Sequence, residues 1–353
     1  VPEKIAVRQL KKLRKRIHAR IKADGIELVS GKGKRKTRLQ RLSEWVDQCL
    51  AKLKQYTKDI HICGNRNSFS KTDHDATFMH MKEDYMRNGQ LKPGYNVNVA
   101  TCSDFIIGSY ISSDRNDVHT LIPFMEQLRK NYAGRNIGSV VVDSGYESEE
   151  NYCWFEAHPE TELYVKPSNH EAVKHRKYRT DISRRENMAY NAQTDTYTCA
   201  NGKLLQKTQE KKTHTASGLE IATSVYECNE CDGCPLKEKC IRACGSKKPL
   251  EERYKVIYVS KRFARQRQAM EAKISSPKGC LLRVNRSIQA EGNFAYVKQD
   301  LDFRRFLLRG STKVAAEWLL FSLALNILHL HHKIQNRRLG SGLKIPSSFP
   351  AGL

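Results

Sequence analysis

Two stretches near the start of the chain repeat apolar residues at helical spacing. Residues 3–23 and 38–57 show this pattern, which predicts two amphipathic helices. The turn between them, residues 31–36, is basic and rich in glycine, so the pair is predicted to form a helical hairpin. The apolar stripes consist of Ile17, Ile21, Leu42, Trp45, Val46, Leu50 and Leu53.

An α/β pattern follows a polar loop at residues 65–75. Alternation at 95–99 and an apolar run at 105–111 predict an antiparallel hairpin. A helical stripe at 117–131, a short apolar strand at 139–143, a helix at 147–157 and a strand at 163–165 come next. The resulting order, β-β-α-β-α-β, predicts a mixed sheet with helices packed on it.

This pattern stops after Lys166. Residues 167–280 are polar, strongly charged and rich in cysteine, so they are predicted to be an inserted subdomain. Helical patterns return at 287–300 and 312–333. The predicted organisation is a basic helical segment (1–64), the first part of an α/β core (65–166), the Cys-rich insertion (167–280), helices that complete the core (281–335) and a flexible tail (336–353).

Charge narrows the class of partner. The chain has 353 residues and a formal net charge of +24, and residues 1–60 hold 18 Lys and Arg against 6 Asp and Glu. Such an excess favours a polyanionic partner, with nucleic acid ahead of a membrane. The most apolar stretch, residues 315–330, is interrupted by Glu317 and Asn326 and is short for a bilayer span, so a buried helix and no membrane partner are predicted.

Two carboxylates lie at positions that are typical of enzyme active sites, one at the end of a strand and one on a helix. Asp143 ends a buried strand, at the sheet edge where ligands bind, and the small Ser144 and Gly145 leave room for a substrate or metal. Glu291 shares a predicted helix face with Lys298, which places a metal-binding acid and a phosphate-binding ammonium on one surface. The alternatives are a strand-end Asp that caps a turn and a solvated helix face. Downstream, aromatic and aliphatic residues of the segment 303–310 are expected to anchor it while Arg304, Arg305 and Arg309 face outward, and Arg304 and Arg305 are predicted to contact DNA.

Four cysteines lie within thirteen residues: Cys228, Cys231, Cys234 and Cys240. Four thiolates suit a structural, tetrahedral Zn²⁺ site, which would substitute for a core in a small polar insertion. An iron–sulfur cluster has the same ligands. Unmetallated packing or redox cysteines are further alternatives, and Cys199 and Cys244 are spare candidates.

Several motifs, taken in order, resemble one family. They are Ser70–Met79, Leu91–Val97, Val141–Tyr146, Glu291–Phe294 and Phe303–Gly310. With them, nearly everything from Ser68 to Gly310 is similar to a bacterial insertion-sequence transposase of the DDE class, from the group with a Cys-containing insertion in its catalytic domain.

The resemblance implies an RNase H-like catalytic core in which three acids bind two Mg²⁺ or Mn²⁺ ions. Asp143 corresponds to the middle acid and Glu291 to the last. Lys298 corresponds to a position that contacts DNA near the active site. Arg286 lies one residue away from the spacing of a related motif and is a further predicted DNA contact. The family's first acid lies on an opening strand that has no counterpart here. Either Asp75, with Asp73 as alternative, takes its place, or the chain is an N-terminally truncated copy; it begins with Val rather than Met.

The function implied is DNA transposition, by metal-dependent phosphodiester hydrolysis and strand transfer at insertion-sequence ends. The implied partners are transposon-end and target DNA and a second copy of the chain, in the bacterial cytoplasm at the nucleoid. A catalytically inactive DNA-binding remnant and a stand-alone metal-dependent nuclease are the alternatives. A remnant would bind DNA without cutting it, and a nuclease would cut without needing particular end sequences.

Overall fold

The computed structural model describes residues 3–31, 33–81, 86–242, 248–340 and 342–343. It divides into two compact units, Val1–Gly94 and Tyr95–Leu353. The division predicted after residue 64 therefore falls inside the first unit. Of the predicted tail, residues 341 and 344–353 lie outside the described residues.

The first unit contains a helical hairpin and a short sheet. Its elements are α1 (Glu3–Ala23), α2 (Arg38–Cys63), β1 (Thr77–Met79) and β2 (Lys92–Gly94), with β1 and β2 antiparallel. The two predicted helices are confirmed, and α2 runs six residues further than its pattern indicated. Ile17, Ile21 and Val46 form the buried seam between them, whereas Leu42 and Trp45, predicted in the same stripes, are exposed.

The second unit opens with the predicted hairpin of β3 (Asn96–Cys102) and β4 (Phe105–Ser112). Ser103 and Asp104 connect the strands, both with positive φ (53° and 71°). Two successive residues of positive φ are typical of the tight turn whose twist matches an antiparallel hairpin. This local geometry fixes the strand register.

A helix and a βαβ unit follow. The elements are α3 (Leu121–Asn131), β5 (Ser139–Val142), α4 (Glu149–Glu156) and β6 (Glu162–Val165), and β5 pairs parallel with β6. The predicted order β-β-α-β-α-β is thus confirmed. α4 begins at a cap, because the Ser148 side chain accepts a hydrogen bond from the backbone N–H of Asn151.

One apolar core joins these elements. Leu121, Phe124, Met125 and Leu128 of α3 pack with Tyr152 and Phe155 of α4 and with Leu163 and Val165 of β6. Ala100 and Tyr110 of the hairpin and Val140 and Val142 of β5 pack against the same core. The hairpin and the parallel pair therefore lie on one set of helices.

The predicted single mixed sheet is not formed by the described residues, because the two strand pairs are not hydrogen-bonded to each other. Within the described residues, β3 pairs only with β4 and β5 pairs only with β6. Each of these strands therefore has an edge that no described strand covers, and such an edge presents unpaired backbone N–H and C=O groups.

The Cys-rich stretch has its own sheet. It contains α5 (Arg176–Arg179), β7 (Ala189–Asn191), β8 (Thr196–Thr198), β9 (Leu204–His214), β10 (Glu220–Cys228), α6 (Lys237–Cys240) and β11 (Lys255–Val259). The strands form an antiparallel sheet in the order β11-β10-β9-β8-β7. Its small core holds Tyr197, Leu205, Tyr226 and Ile257, beside Cys228 and Cys231.

α7 (Lys261–Ser275) returns the chain to the main core. Although it lies within the range predicted for the insertion, its Met270 and Ile274 are buried among the side chains of α3 and α4. The next helix, α8 (Pro277–Arg286), begins directly after it. Their close approach requires Gly279, since a Cβ there would lie 2.3 Å from the carbonyl oxygen of Lys273.

The helix predicted at 287–300 is present but is not a regular α-helix. α8 continues into a π-helical turn (Ser287–Glu291), α9 (Gly292–Ala295) and a second π-helical turn (Tyr296–Asp300). The wider π-turns change the phase of the side chains, so the α-helical rule that placed Glu291 and Lys298 on one face does not apply here. π-turns are often found at functional sites.

The last helix, α10 (Ser311–Gln335), was predicted to be buried, and only one side of it is. Val314, Trp318, Ser322 and Leu325 are buried, but only 28% of its most apolar window is buried overall. By length and composition α10 could cross a membrane, which is weak evidence because core helices of soluble proteins pass the same test. The side that contacts the protein also holds polar contacts: Glu317 accepts hydrogen bonds from the backbone N–H groups of Leu307 and Leu308, and the Asn326 amide pairs with the backbone N–H and C=O of Ile106.

Candidate active site

Asp143 follows β5 directly and has two different environments at its two oxygens. Oδ1 accepts a hydrogen bond from the backbone N–H of Ser144 at 2.6 Å and so caps the short turn Ser144–Tyr146. Oδ2 lies 3.4 Å from a guanidinium nitrogen of Arg286. The cap holds the carboxylate in place, so the capping interpretation is confirmed, while the role of Asp143 as a site residue stays a prediction.

Arg286 joins the two acids that the sequence had singled out. Its Nη2 lies 3.4 Å from Asp143 Oδ2, and its Nη1 lies 3.1 Å from Glu291 Oε1. The π-turn that starts at Ser287 separates Arg286 from Glu291 along one helix. The structure thus brings together two carboxylates 148 positions apart in the chain, with a cation between them.

The electrostatics keep Asp143 ionised. Partial burial raises the pKa of this carboxyl, but the positive charge of Arg286 and the hydrogen bonds from Ser144 outweigh that effect, so the pKa is below its ordinary value. Lys166 lowers this pKa further. At neutral pH the site therefore presents a carboxylate.

A buried polar network supports the turn after Asp143. The hydroxyl of Tyr146 donates to Asn98 Oδ1 at 2.5 Å, and Thr120 Oγ1 donates to the same oxygen at 2.8 Å. Asn151 Nδ2 donates to the carbonyl of Tyr146 at 2.7 Å. Asn98, Thr120 and Asn151 are almost completely buried, so these bonds are shielded from water.

These supporting residues were not identified from the sequence. The available signal was the polar Asn96-x-Asn98 pair on one face of a strand, where apolar residues are expected. Burial raises the pKa of the Tyr146 hydroxyl, and the nearby charges of Asp117 and Asp143 raise it too. Tyr146 is therefore a neutral hydrogen-bond donor that positions the turn.

Gly145 is small for a different reason than predicted. A Cβ at this position would lie 3.0 Å from Oδ2 of Asp117, so the missing side chain makes room for that carboxylate rather than for a substrate. Oδ1 of Asp117 accepts a hydrogen bond from Asn96 Nδ2 at 2.7 Å. In the described residues no three His, Cys, Asp or Glu side chains are gathered as ligands of one ion, so Asp117 does not complete a site with Asp143 and Glu291.

Asp73 and Asp75 lie in a tight turn of the first unit, just before β1. The backbone N–H of Asp75 donates to Asp73 Oδ1 at 3.3 Å, and Arg66 Nη1 donates to the carbonyl of Asp75 at 2.7 Å. Their assignment as the first acid remains a prediction.

The predicted DNA-contacting residues have varied surroundings. Lys298 Nζ lies 5.9 Å from the ring centroid of Phe294, and the ion-pair partner of Glu291 is Arg286. Arg304 and Arg305 are exposed, and their aromatic neighbours are half-buried in the core of α10, as predicted. The predicted anchoring by aliphatic residues is wrong, because Leu307 and Leu308 are 84% and 45% exposed. Their contact with DNA stays a prediction.

The four clustered cysteines share one small cavity with a fifth. Cys199, Cys228, Cys231, Cys234 and Cys240 all line a cavity of about 20 Å³. The described cysteines are free thiols. Burial raises the pKa of Cys228 to about 11 and also raises that of Cys240, so in the absence of a metal these groups are neutral. Cys244 lies outside the described residues.

One family of known proteins matches part of the chain. The sequence model described as the transposase DDE domain matches residues 198–331, a stretch that contains Glu291, Lys298 and the clustered cysteines. Asp143 lies outside the matched stretch. No curated protein and no solved structure matches the chain. The match agrees with the resemblance seen in the motifs.

Proposed function

We propose that this chain, a DDE transposase by its match to the transposase DDE domain, uses Asp143 and Glu291 as two of the acids of its DNA-cleaving site. The observation that carries the proposal is the single guanidinium of Arg286 in contact with both carboxylates. One cation thus holds carboxylates from segments 148 positions apart.

The donor chemistry fits a hard divalent ion. Mg²⁺ and Mn²⁺ prefer carboxylate oxygens, water and phosphate, and both acids are solvent-accessible, with 44% and 64% of their side chains exposed. Such an ion would polarise the scissile phosphate and lower the pKa of the attacking water or 3′-hydroxyl. The chain itself would hold Asp143 in place through the hydrogen bond from the backbone N–H of Ser144. The hydrogen bond of Tyr146 to Asn98 supports the same turn.

DNA would approach over positive surface. Lys298, Arg304 and Arg305 follow Glu291 within 14 positions, and the whole chain carries a net charge of +24. Lys and Arg contacts to phosphates give affinity without sequence preference. Specific recognition of transposon ends therefore needs other residues.

We infer an RNase H-like core in which a further strand would join the two separate strand pairs. β3 and β5 each have an edge that no described strand covers, and both lie on the core of α3. We infer that a further strand fits between them and carries the third acid. If Asp75 or Asp73 supplies that acid instead, the described chain is sufficient for cleavage.

The test is Mn²⁺-dependent cleavage of a duplex with the terminal repeats that flank the coding sequence. The chain is assayed as it stands and with an upstream-encoded segment added, each as wild type, Asp143→Asn, Glu291→Gln and the control Asp302→Asn, an exposed acid paired with Arg304. We expect both site variants to lose cleavage and keep DNA binding within about twofold, because phosphate contacts carry the affinity. The control should cleave like the wild type.

The outcomes separate the alternatives. Cleavage that survives in either site variant would refute the assignment of the acids. Cleavage by the extended protein alone would support the missing strand. DNA binding without cleavage in both forms would favour the inactive remnant, and cleavage of unrelated duplexes would favour a nuclease.

We further propose that the clustered cysteines hold a structural Zn²⁺. Five thiols line one cavity, and thiolate is a preferred ligand of zinc, but the side chains must turn inward to meet one ion. Metal content of the purified protein tests this directly. We expect stoichiometric zinc in the wild type and in the control Cys280→Ser of α8. The zinc content should fall in Cys231→Ser and Cys240→Ser. Metal-free wild-type protein would favour simple packing of the thiols.

A further inference from the structure

A second strand ends at the sheet edge where Asp143 lies. β5 and β6 are parallel, and Val142, the last residue of β5, pairs with Val165, the last residue of β6. The residues that follow the two strands are Asp143 and Lys166. Neighbouring strands lie about 4.8 Å apart, and parallel strands of α/β proteins bind ligands at their carboxyl ends. Lys166 is therefore next to the candidate acid at this edge.

The positive charge of Lys166 acts on Asp143. Partial burial raises the pKa of the Asp143 carboxyl, whereas the charge of Arg286, the hydrogen bonds of Ser144 and the charge of Lys166 lower it. Arg286 belongs to α8, and Lys166 follows β6. The acid thus has cations from two separate elements near it.

A buried ion pair connects the segment that carries Lys166 to the turn after Asp143. The carboxylate of Glu147, directly after that turn, accepts a hydrogen bond from the backbone N–H of Ser168 at 2.8 Å. Arg267 of α7 donates to both oxygens of Glu147 at 2.8 Å and to Ser168 Oγ at 3.3 Å. The Glu147 side chain is only 2% exposed, so its loss of partners would be costly. These bonds fix the spacing between the two segments.

The same segment has a second attachment to α7. His170, almost completely buried, has its Nδ1 2.6 Å from Oε1 of Glu271. With Ser168 and His170 both held, the backbone after β6 has a defined course. Lys166 is thus positioned by the protein before any ligand arrives.

The ion pair of Lys166 with Glu171 is too long to occupy its ammonium. Nζ of Lys166 lies 3.7 Å from Oε1 of Glu171, beyond hydrogen-bond distance, whereas Lys174 Nζ lies 3.0 Å from Oε2. Exposed pairs of this kind contribute little energy. The Lys166 side chain is 35% exposed, so a ligand can reach it.

We propose that Lys166 is a phosphate-binding residue of the DNA-cleaving site, where its ammonium contacts a non-bridging oxygen of the phosphate that is cleaved beside Asp143. The inference rests on the proposed function, because it takes Asp143 as one of the acids. It goes further, since Lys166 lies outside the motifs and outside the matched residues 198–331. A carboxylate alone repels a phosphate, and a fixed ammonium next to it offsets that repulsion.

The reaction explains why a fixed cation is useful at this position. The oxygen of water or of a 3′-hydroxyl forms a bond to phosphorus, and the bond from phosphorus to the leaving oxygen breaks. The attacking group releases one proton and the leaving oxygen takes up one, so protons balance and Lys166 keeps its own. Negative charge is spread over the non-bridging oxygens in the transition state, where a positioned ammonium stabilises it.

Cleavage of the terminal-repeat duplex in Mn²⁺, with protein in excess over DNA, tests this role in the chain and in its upstream-extended form. Lys166→Gln should slow cleavage on the order of tenfold to a hundredfold. Its DNA affinity should change by about twofold or less. Lys166→Arg should recover much of the rate, because it restores the charge. Lys174→Gln, which removes the other lysine paired with Glu171, is the matched control and should cleave like the wild type.

A modified duplex tests the contact itself and does not require cleavage. A methylphosphonate at the cleaved position replaces one non-bridging oxygen by a methyl group and removes the charge. Binding is measured in the Glu291→Gln background, which should not cleave. The modification should weaken binding about fivefold when Lys166 is present and have little effect in Lys166→Gln. One helical turn away along the DNA, it should affect both proteins equally.

The outcomes separate this inference from the proposed function. Cleavage by Asp143→Asn would refute the site, and the inference with it. An inactive Asp143→Asn beside a fully active Lys166→Gln would overturn the inference alone. A loss that Lys166→Arg does not recover, or equal effects of the methylphosphonate with and without Lys166, would also overturn it. If neither form of the protein cleaves, the binding comparison decides. Thermal denaturation verifies that the Lys166 variants fold.

Discussion

Arg286 lies between Asp143 and Glu291, where the proposed divalent ion would bind, and this leads to a prediction about metal affinity. An ion that binds both carboxylates must displace the guanidinium from its contacts at 3.4 and 3.1 Å. Replacing Arg286 by Gln removes the competing charge and leaves the two carboxylates facing each other. We therefore expect Arg286→Gln to bind Mn²⁺ more tightly than the wild type.

The magnitude follows from the exposure of the pairs. Glu291 is 64% exposed and Asp143 44% exposed, so solvent screens both contacts. Exposed ion pairs contribute about 0.2–1 kcal/mol each, and the two together about 1 kcal/mol. Since 1.4 kcal/mol corresponds to a factor of ten, the dissociation constant for Mn²⁺ should fall about fivefold.

The assay is titration of the protein with Mn²⁺, followed by the electron paramagnetic resonance signal of the free ion, without DNA. The titration is done near neutral pH, because loss of Arg286 raises the pKa of Asp143. In acid solution, protonation of Asp143 would mask the gain in Mn²⁺ affinity. Arg304→Gln is the matched control, since its guanidinium pairs with Asp302. Unchanged or weaker Mn²⁺ binding by Arg286→Gln would refute the reasoning and show that Arg286 organises the acids for the ion.

Three further predictions concern stability. The pKa of Asp195 is lowered to about 2, chiefly by the hydrogen bond from Lys261, so its contribution to stability is complete above the ordinary pKa of about 4 and is lost as the pH falls through 2. Asp195→Asn should lower the free energy of unfolding by about 1 kcal/mol in urea at pH 7, and should remove this part of the acid dependence of stability. Replacing the completely buried Ile274 by Ala should lower the free energy of unfolding by about 3 kcal/mol. A loss below about 1 kcal/mol in urea unfolding would contradict its place in the core. Gly145→Ala should lower the melting temperature, because its Cβ meets the carboxylate of Asp117 at 3.0 Å, whereas Gly138→Ala, with open space around it, should not; equal melting temperatures would contradict the contact.

Local patterns predicted much of the second unit correctly. The hairpin β3–β4, the helix α3 and the β5–α4–β6 unit follow from periodicity, because each is formed by residues close together in the chain and each buries one face. The acids Asp143 and Glu291 could be selected from the sequence by their positions and by the resemblance of their motifs. Anchoring of the segment with Arg304 and Arg305 was predicted correctly for its aromatic residues but not for its aliphatic ones, because Leu307 and Leu308 are exposed.

Other features depended on contacts between distant segments. The sequence placed Glu291 and Lys298 on one α-helical face, but π-helical turns alter that face, and local propensity does not encode them. The room for Asp117 beside Gly145 and the buried bonds of Asn98 arise from pairing of side chains more than twenty positions apart. No pattern of period two or four records such bonds.

The sequence by itself determined the order of elements in the α/β section, the basic character, the clustered thiols and the choice of Asp143 and Glu291 as candidate acids, because these are properties of neighbouring residues. The tertiary structure decided which groups meet. It placed Arg286 between the two acids, gathered Cys199 with the four clustered cysteines and rotated α10 so that one of its apolar faces is exposed. The rotation of α10 is the clearest case: both its faces are apolar in sequence, and the buried one is selected by the packing of Trp318 and Leu325 together with the hydrogen bonds of Glu317 and Asn326.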